Sequence, residues 1–289
     1  MIKTKHLKKY YGSSRGIEDV TLSVKQGEIF GFVGPNGSGK TTLIRILLGL
    51  LSTDSGQAEI LNQEVSIGNH LINEHIGYMP SESHFFNELK VKVIMDFFRS
   101  MRNVDENYLN HLISTLDVDL EKKFGSLSFG NKKKVGIVIA LMHQAKLLIL
   151  DEPTSGLDPL IQSRFLELLH QAKKNGSTIF LSSHVLSEIE KVCDRVALIK
   201  DGTILFTKSM DDIRKNEHKR LQVTPNQDHL KLKGLEYIKD VNSSSHYTYQ
   251  GDVNLLIDYL SDKTFDDIIL RDVGLEEIFS VYYEKEEIL

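Results

Sequence analysis

The stretch EIFGFVGPNGSGKTTLIRILLGL, residues 28–50, constrains this chain more than any other part of it. Its opening, EIFGFVG (28–34), is an apolar run of strand length, and its close, TTLIRILLGL (41–50), has helical spacing. Between them stand Gly34, Pro35, Asn36, Gly37, Ser38, Gly39, Lys40 and Thr41, followed by Thr42. The pattern G-x-x-x-x-G-K-[ST] between a strand and a helix is a phosphate-binding loop. Its glycines let successive backbone N–H groups turn inward, and the helix N-terminus adds partial positive charge. Lys40 is placed to reach the β- and γ-phosphates of a nucleotide, and the Thr41 hydroxyl to ligand Mg²⁺.

Further short runs rich in Ile, Val, Leu and Phe alternate with helical patterns, which predicts a buried parallel sheet wrapped by helices. LLILD (147–151) and TIFLSS (178–183) are the clearest of these. RVALIKDGTILF (195–206) differs, because Asp201-Gly202 between two apolar runs predicts a two-residue antiparallel hairpin. After about residue 210 the chain turns polar and charged. There LEYIKDV and HYTYQ flank Asn242-Ser-Ser as a second hairpin, while VNLLIDYL and LEEIFSVYY have amphipathic helical spacing. We expect a small α+β domain over 211–289.

LLILDEP (147–153) ends a buried run in two carboxylates. Strand side chains alternate faces, so Asp151 and Glu152 are expected to act differently. Asp151 fits the acid that holds Mg²⁺ through water, and Glu152 the group that polarises an attacking water.

Composition narrows the partners. With 35 basic and 40 acidic residues the net charge is −5, which argues against a chain that coats nucleic acid. The one cysteine, Cys193, cannot form an internal disulfide, which fits a reducing compartment. Met1 to Tyr11 is too charged for a signal peptide. No apolar run approaches the roughly 20 residues that cross a bilayer, so a membrane role needs a partner.

Three more segments narrow the class: LSFGN (127–131), SGLDP (155–159) and SSH (182–184). With GPNGSGKTT and LLILDE, in this order and spacing, they make residues 1–210 resemble the nucleotide-binding subunit of an ATP-binding cassette (ABC) transporter. The resemblance implies an α/β P-loop cassette, with a mixed sheet, an antiparallel part and a helical subdomain at about 82–142. It implies ATP and Mg²⁺ as ligands and a head-to-tail dimer in which L-S-x-G caps the γ-phosphate of ATP held by the other subunit. By that likeness Ser128 and Gly130 do the capping, Asp158 crosses the dimer interface, Tyr11 stacks on adenine, and His184 contacts the γ-phosphate and holds water and Glu152 in line. An ordinary helix start capped by Ser128 is the plain alternative for LSFGN.

Two departures stand out. Phe129 and Asn131 replace a glycine and the glutamine of the usual L-S-G-G-Q, so capping is expected to be retuned. Ser81, in IGYMPSES (76–83), stands where the family places a Mg²⁺-ligating glutamine. The family also uses the region HFFNELKVKVIMDFFRSM (84–101), read as helical, to receive a helix of the permease, and Phe85, Phe86 and Phe98 are candidates to line that groove. The expected function is therefore an ATPase subunit, peripheral on the cytoplasmic face of the membrane. It would pair with a copy of itself or a second cassette and power export of a drug or amphipathic peptide by a separate permease. The alternative is a soluble ABC ATPase acting on ribosomes or DNA.

Overall fold

Three aromatic rings mark the middle of the molecule's larger sheet. Phe180 stacks on Phe30 with centroids 6.0 Å apart and tilts against Phe32 at 5.4 Å, all three fully buried. The computed structural model describes residues 1–68, 70–214, 218–225 and 230–276. They divide into two units, Met1–Lys208 and Ser209–Leu289.

The first unit runs β1 (Ile2–Tyr11), β2 (Ser14–Val24), β3 (Ile29–Val33), α1 (Lys40–Leu47), β4 (Ser55–Ile60), β5 (Gln63–Glu64) and β6 (Ile76–Met79). It continues through α2 (Val91–Ser100), α3 (Glu106–Thr115), α4 (Phe129–Leu141), β7 (Leu147–Asp151), α5 (Pro159–Lys174), β8 (Thr178–Ser183), α6 (Leu186–Val192), β9 (Arg195–Lys200) and β10 (Thr203–Ser209). The sheet is ten-stranded, in the order β5-β4-β1-β2-β10-β9-β3-β8-β7-β6. The β9-β3-β8-β7-β6 limb is parallel and the β5-β4-β1-β2 limb antiparallel. This is the expected mixed α/β sheet. Every residue of β3, β7 and β8 is buried, as befits parallel strands covered on both faces. Leu43, Ile44, Ile46 and Leu47 of α1 join Phe30, Phe32 and Phe180 in one core on one face. On the opposite face Ile189 and Cys193, at the end of α6, pack over Gly31. Cys193 is thus a buried packing residue, its thiol pushed up by burial.

The Asp201-Gly202 hairpin forms, with φ of 51° and 75° at the two turn residues, the positive pair that a type I′ turn requires. The helix read across 84–101 starts only at Val91. Lys90 instead makes an isolated antiparallel bridge with Lys123, and the backbone before it runs irregularly. Within 82–142 lie α2, α3 and α4.

The second unit comprises α7 (Met210–Arg214), β11 (His218–Thr224), β12 (Leu235–Val241), β13 (Ser244–Gln250), α8 (Val253–Ser261) and β14 (Asp267–Asp272). Its four-stranded antiparallel sheet has the order β12-β13-β11-β14. Leu256 and Leu260 of α8 close its core on Leu221, Val223, Tyr247 and Tyr249. The hairpin around Asn242 and the helix at VNLLIDYL are as read from sequence. The helix read at LEEIFSVYY falls largely outside the described residues.

Candidate nucleotide site

β3 delivers the chain to Gly34, and α1 starts at Lys40 with Gly39 as its N-cap residue. Gly39 has φ 106°, and a Cβ on it would lie 2.5 Å from the carbonyl oxygen of Gly16. A side chain would meet both a forbidden backbone region and rigid backbone. Lys40 is 6% exposed, and its Nζ donates to the carbonyls of Gly34 (2.7 Å) and Pro35 (3.1 Å). The ammonium therefore bends over the loop it belongs to. Ser38 Oγ is buried with no hydrogen-bond partner. A buried hydroxyl without a partner, in a loop whose lysine ammonium is turned onto its own carbonyls, is a cradle short of an oxygen-rich anion.

At the end of β7 the two carboxylates part company. Asp151, fully buried, accepts from Thr41 Oγ1 at 2.8 Å and from Ser182 Oγ at 2.5 Å. Glu152 lies just beyond the strand with φ 49°, in the left-handed region that costs a non-glycine residue about 1–3 kcal/mol. The two carboxylates thus face different partners, and a left-handed turn, not strand pleat, separates them. Glu152 Oε2 lies 2.6 Å from His184 Nδ1. Oε1 is 3.3 Å from Lys40 Nζ, an ion-pair separation without hydrogen-bond geometry, and it is buried and otherwise unpartnered. Lys40, Thr41, Asp151, Glu152 and His184 thus converge from β3–α1, β7 and the end of β8.

Thr41 and Asp151 together present hydroxyl and carboxylate oxygen, a set suited to Mg²⁺ that keeps water and phosphate ligands. Among the described residues no group of three His, Cys, Asp or Glu side chains forms a closed metal cage. Ser81 follows Pro80 at the end of β6, whose Met79 pairs in parallel register with Leu150. It therefore sits at the same sheet end as Asp151, partly exposed. Tyr11 is 45% exposed, and its hydroxyl lies 3.4 Å from Thr42 Oγ1 at the base of the loop.

LSFGN does not reach this cluster with Ser128. Ser128 is the N-cap of α4, its Oγ accepting from Asn131 N–H at 3.3 Å, so the plain reading holds within one chain. Gly130 packs so closely on SGLDP that a Cβ would stand 2.4 Å from the Gly156 carbonyl oxygen. Asp158 is exposed and caps α5 by accepting from Ile161 N–H at 3.0 Å.

Sequence reasoning passed over Ser182 and Lys133. Lys133, one of three successive lysines, is 1% exposed and donates to the Glu152 carbonyl at 2.6 Å. Its helical register with the apolar Ile137 and Ala140 was the available signal. Elsewhere, Phe85, Phe86, Leu89, Val93, Phe97 and Phe98 line an apolar groove of about 520 Å³, with Phe86 79% and Phe97 59% exposed.

The family model described as ABC transporter matches residues 17–155. The bacitracin transport ATP-binding protein BcrA of Bacillus licheniformis is 34% identical, over 95% of this chain and 97% of that protein. The chain belongs to the ABC transporter ATP-binding proteins. A second relative, YtrB of Bacillus subtilis, is 32% identical over 77% of this chain and 76% of its own. Among solved structures, an ATP-binding subunit of an ABC transporter superposes with TM-score 0.68 at 29% identity, covering 74% of this chain and 92% of that one. CbiO1 of Clostridium perfringens, part of the CbiONQ transporter complex, gives TM-score 0.62 at 27% identity, covering 73% and 89%. As a cassette of this family the chain is an ATP-binding ATPase of a transporter.

Proposed function

We propose that two cassettes, two copies of this chain or one copy and a relative, close around two Mg-ATP and drive export through a separate membrane permease. The observation that carries the reading is the Glu152 carboxylate, held between His184 Nδ1 and Lys40 Nζ directly beside the phosphate loop. Lys40 would exchange the Gly34 and Pro35 carbonyls for β- and γ-phosphate oxygens, supported by the N–H groups of Gly34 and of Asn36 to Thr42 and by Ser38. Tyr11 would lie against the adenine. Thr41 and Asp151 would hold Mg²⁺, with Ser81 reaching it through water; a cation bound there would offset the negative charge of the phosphates. Glu152 would orient a water and take its proton as the oxygen bonds to the γ-phosphorus and the bridge to the β-phosphate breaks. His184 would keep that carboxylate and the γ-phosphate in line. Ser128 and Gly130 of the other subunit would cap the γ-phosphate, and its Asp158 would cross the interface.

On this reading residues 1–210 form the nucleotide-binding domain, with a helical subdomain at about 82–142, and 211–289 an accessory domain. The apolar groove around Phe86 and Phe97 supports docking of a permease helix. No helix among the described residues is long and apolar enough to cross a membrane, which fits a subunit held at the inner face through that permease. The cargo we assign is a drug or an amphipathic, antimicrobial-type peptide. Similarity along 97% of a bacitracin transport protein supports it, as does 32% identity to the probable multidrug protein YbhF of Escherichia coli, of which this chain spans 38%.

Glu152→Gln tests the centre of the proposal. It should keep ATP binding, lower steady-state turnover by at least about a hundredfold and accumulate an ATP-bound dimer on a sizing column. Normal turnover would remove Glu152 from its role.

A further inference from the structure

Lys133 is a cation that the proposed reaction does not use, buried where a cation is costly. It is 1% exposed, against 9% for Lys134, and Lys132 is only partly buried. The ammonium donates to the Glu152 carbonyl at 2.6 Å and lies 5.7 Å from the centre of the Phe129 ring. Burial lowers it to about 8, while Asp151, Glu152 and Glu82 favour its charge. An apolar side chain of the same length would fill this space without that penalty.

What the ammonium touches explains its presence. The Glu152 peptide, in left-handed conformation, is held on its N–H side by Ser182, through Oγ at 3.1 Å and the carbonyl at 3.2 Å. On its carbonyl side it is held by Lys133. One anchor comes from β8 and the other from α4, so the bend between Asp151 and the Glu152 side chain is clamped from two elements. Strained backbone persists only where the surroundings over-determine it.

We propose that Lys133 is a positioning residue for ATP hydrolysis: its ammonium clamps the Glu152 peptide in the conformation that aims the carboxylate at His184 and Lys40. This rests on Glu152 being the group that activates water. The clamp makes no contact with the phosphate loop, so its removal acts on turnover and leaves ATP affinity alone.

The test compares the full chain with Lys133→Met, which keeps length and loses the donor, and Lys133→Gln, which keeps an N–H donor. Steady-state kcat and KM for Mg-ATP and the Tm are measured alongside Glu152→Gln. Lys133→Met should lower kcat roughly thirtyfold, with KM within about threefold, because a misaligned group costs rate and not ground-state binding. Lys133→Gln should return kcat to within about threefold of the parent chain, since a neutral amide can make the same hydrogen bond. Parent-like kcat in Lys133→Met overturns the clamp. So does a loss in Lys133→Gln as deep as in the methionine chain, or a KM that rises while kcat holds. Should the methionine chain not fold, the glutamine chain decides alone: near-parent kcat supports the clamp, and kcat as low as that of Glu152→Gln overturns it. If Glu152→Gln is inactive while Lys133→Met is normal, only the clamp fails. If Glu152→Gln turns over normally, the reading beneath it fails.

Discussion

Gly39 illustrates how a single atom can decide a site. Its φ of 106° and the Gly16 oxygen 2.5 Å from a would-be Cβ leave no room for alanine without moving the loop or β2. Gly39→Ala should destabilise the chain by about 1–3 kcal/mol through backbone strain, lowering its Tm. It should also weaken ATP binding by at least about tenfold, measured by equilibrium titration, because loop N–H groups leave their shared focus. Parent-like affinity would mean that the loop tolerates the strain elsewhere. The loop's residue types were legible because each has a narrow physical use there. Lys133 was not read, because its one sequence signal, the helical register with Ile137 and Ala140, is weak in a run of lysines; packing of α4 against the end of β7 reveals it.

At the scale of elements, α4 does more than its sequence suggests. Ser128 caps it, Gly130 lets it lie on the SGLDP turn, and Lys133 ties it to Glu152. Gly130→Ala would push the helix N-terminus off the Gly156 carbonyl, 2.4 Å from the new methyl group. We expect kcat to fall roughly a hundredfold, the cost of ångström-scale misplacement, while ATP affinity at the chain's own phosphate loop changes little. Equal losses in binding and turnover would instead indicate general damage. Strands β7, β8 and the Asp201-Gly202 hairpin were legible because periodicity and turn chemistry are local. The start of α2 was not, since the Lys90–Lys123 bridge that delays it joins segments distant in sequence. Phe86, a groove candidate from sequence, is exposed, whereas Phe97 was passed over: helical spacing suits a core, yet its ring faces outward.

At the scale of the molecule, the Ser128 hydroxyl caps its own helix, while Lys40, Asp151, Glu152 and His184 form one cluster without it among the described residues. On the proposed reading the chain carries two half-sites, which the dimer would join. Mixing a Ser128→Arg chain with a Lys40→Ala chain should restore activity to part of the mixed dimers. Each such dimer has one site built from an intact phosphate loop and an intact capping segment. ATPase activity above that of either variant alone is the expected result. No gain, with mixed dimers verified by differential tagging, would refute capping in trans.

The amino-acid order alone determined the phosphate loop, the acidic end of β7, the mixed sheet and the family resemblance. Each is written in contiguous residues whose stereochemistry allows few other uses. Tertiary structure decided the rest. It separated Asp151 from Glu152 by a left-handed turn, brought the buried Lys133 ammonium to the carbonyl of that turn, and set Thr41 and Ser182 on opposite oxygens of one carboxylate. Those relations join residues tens of positions apart, and their strength depends on burial and direction, which exist only once the helices have closed over the sheet.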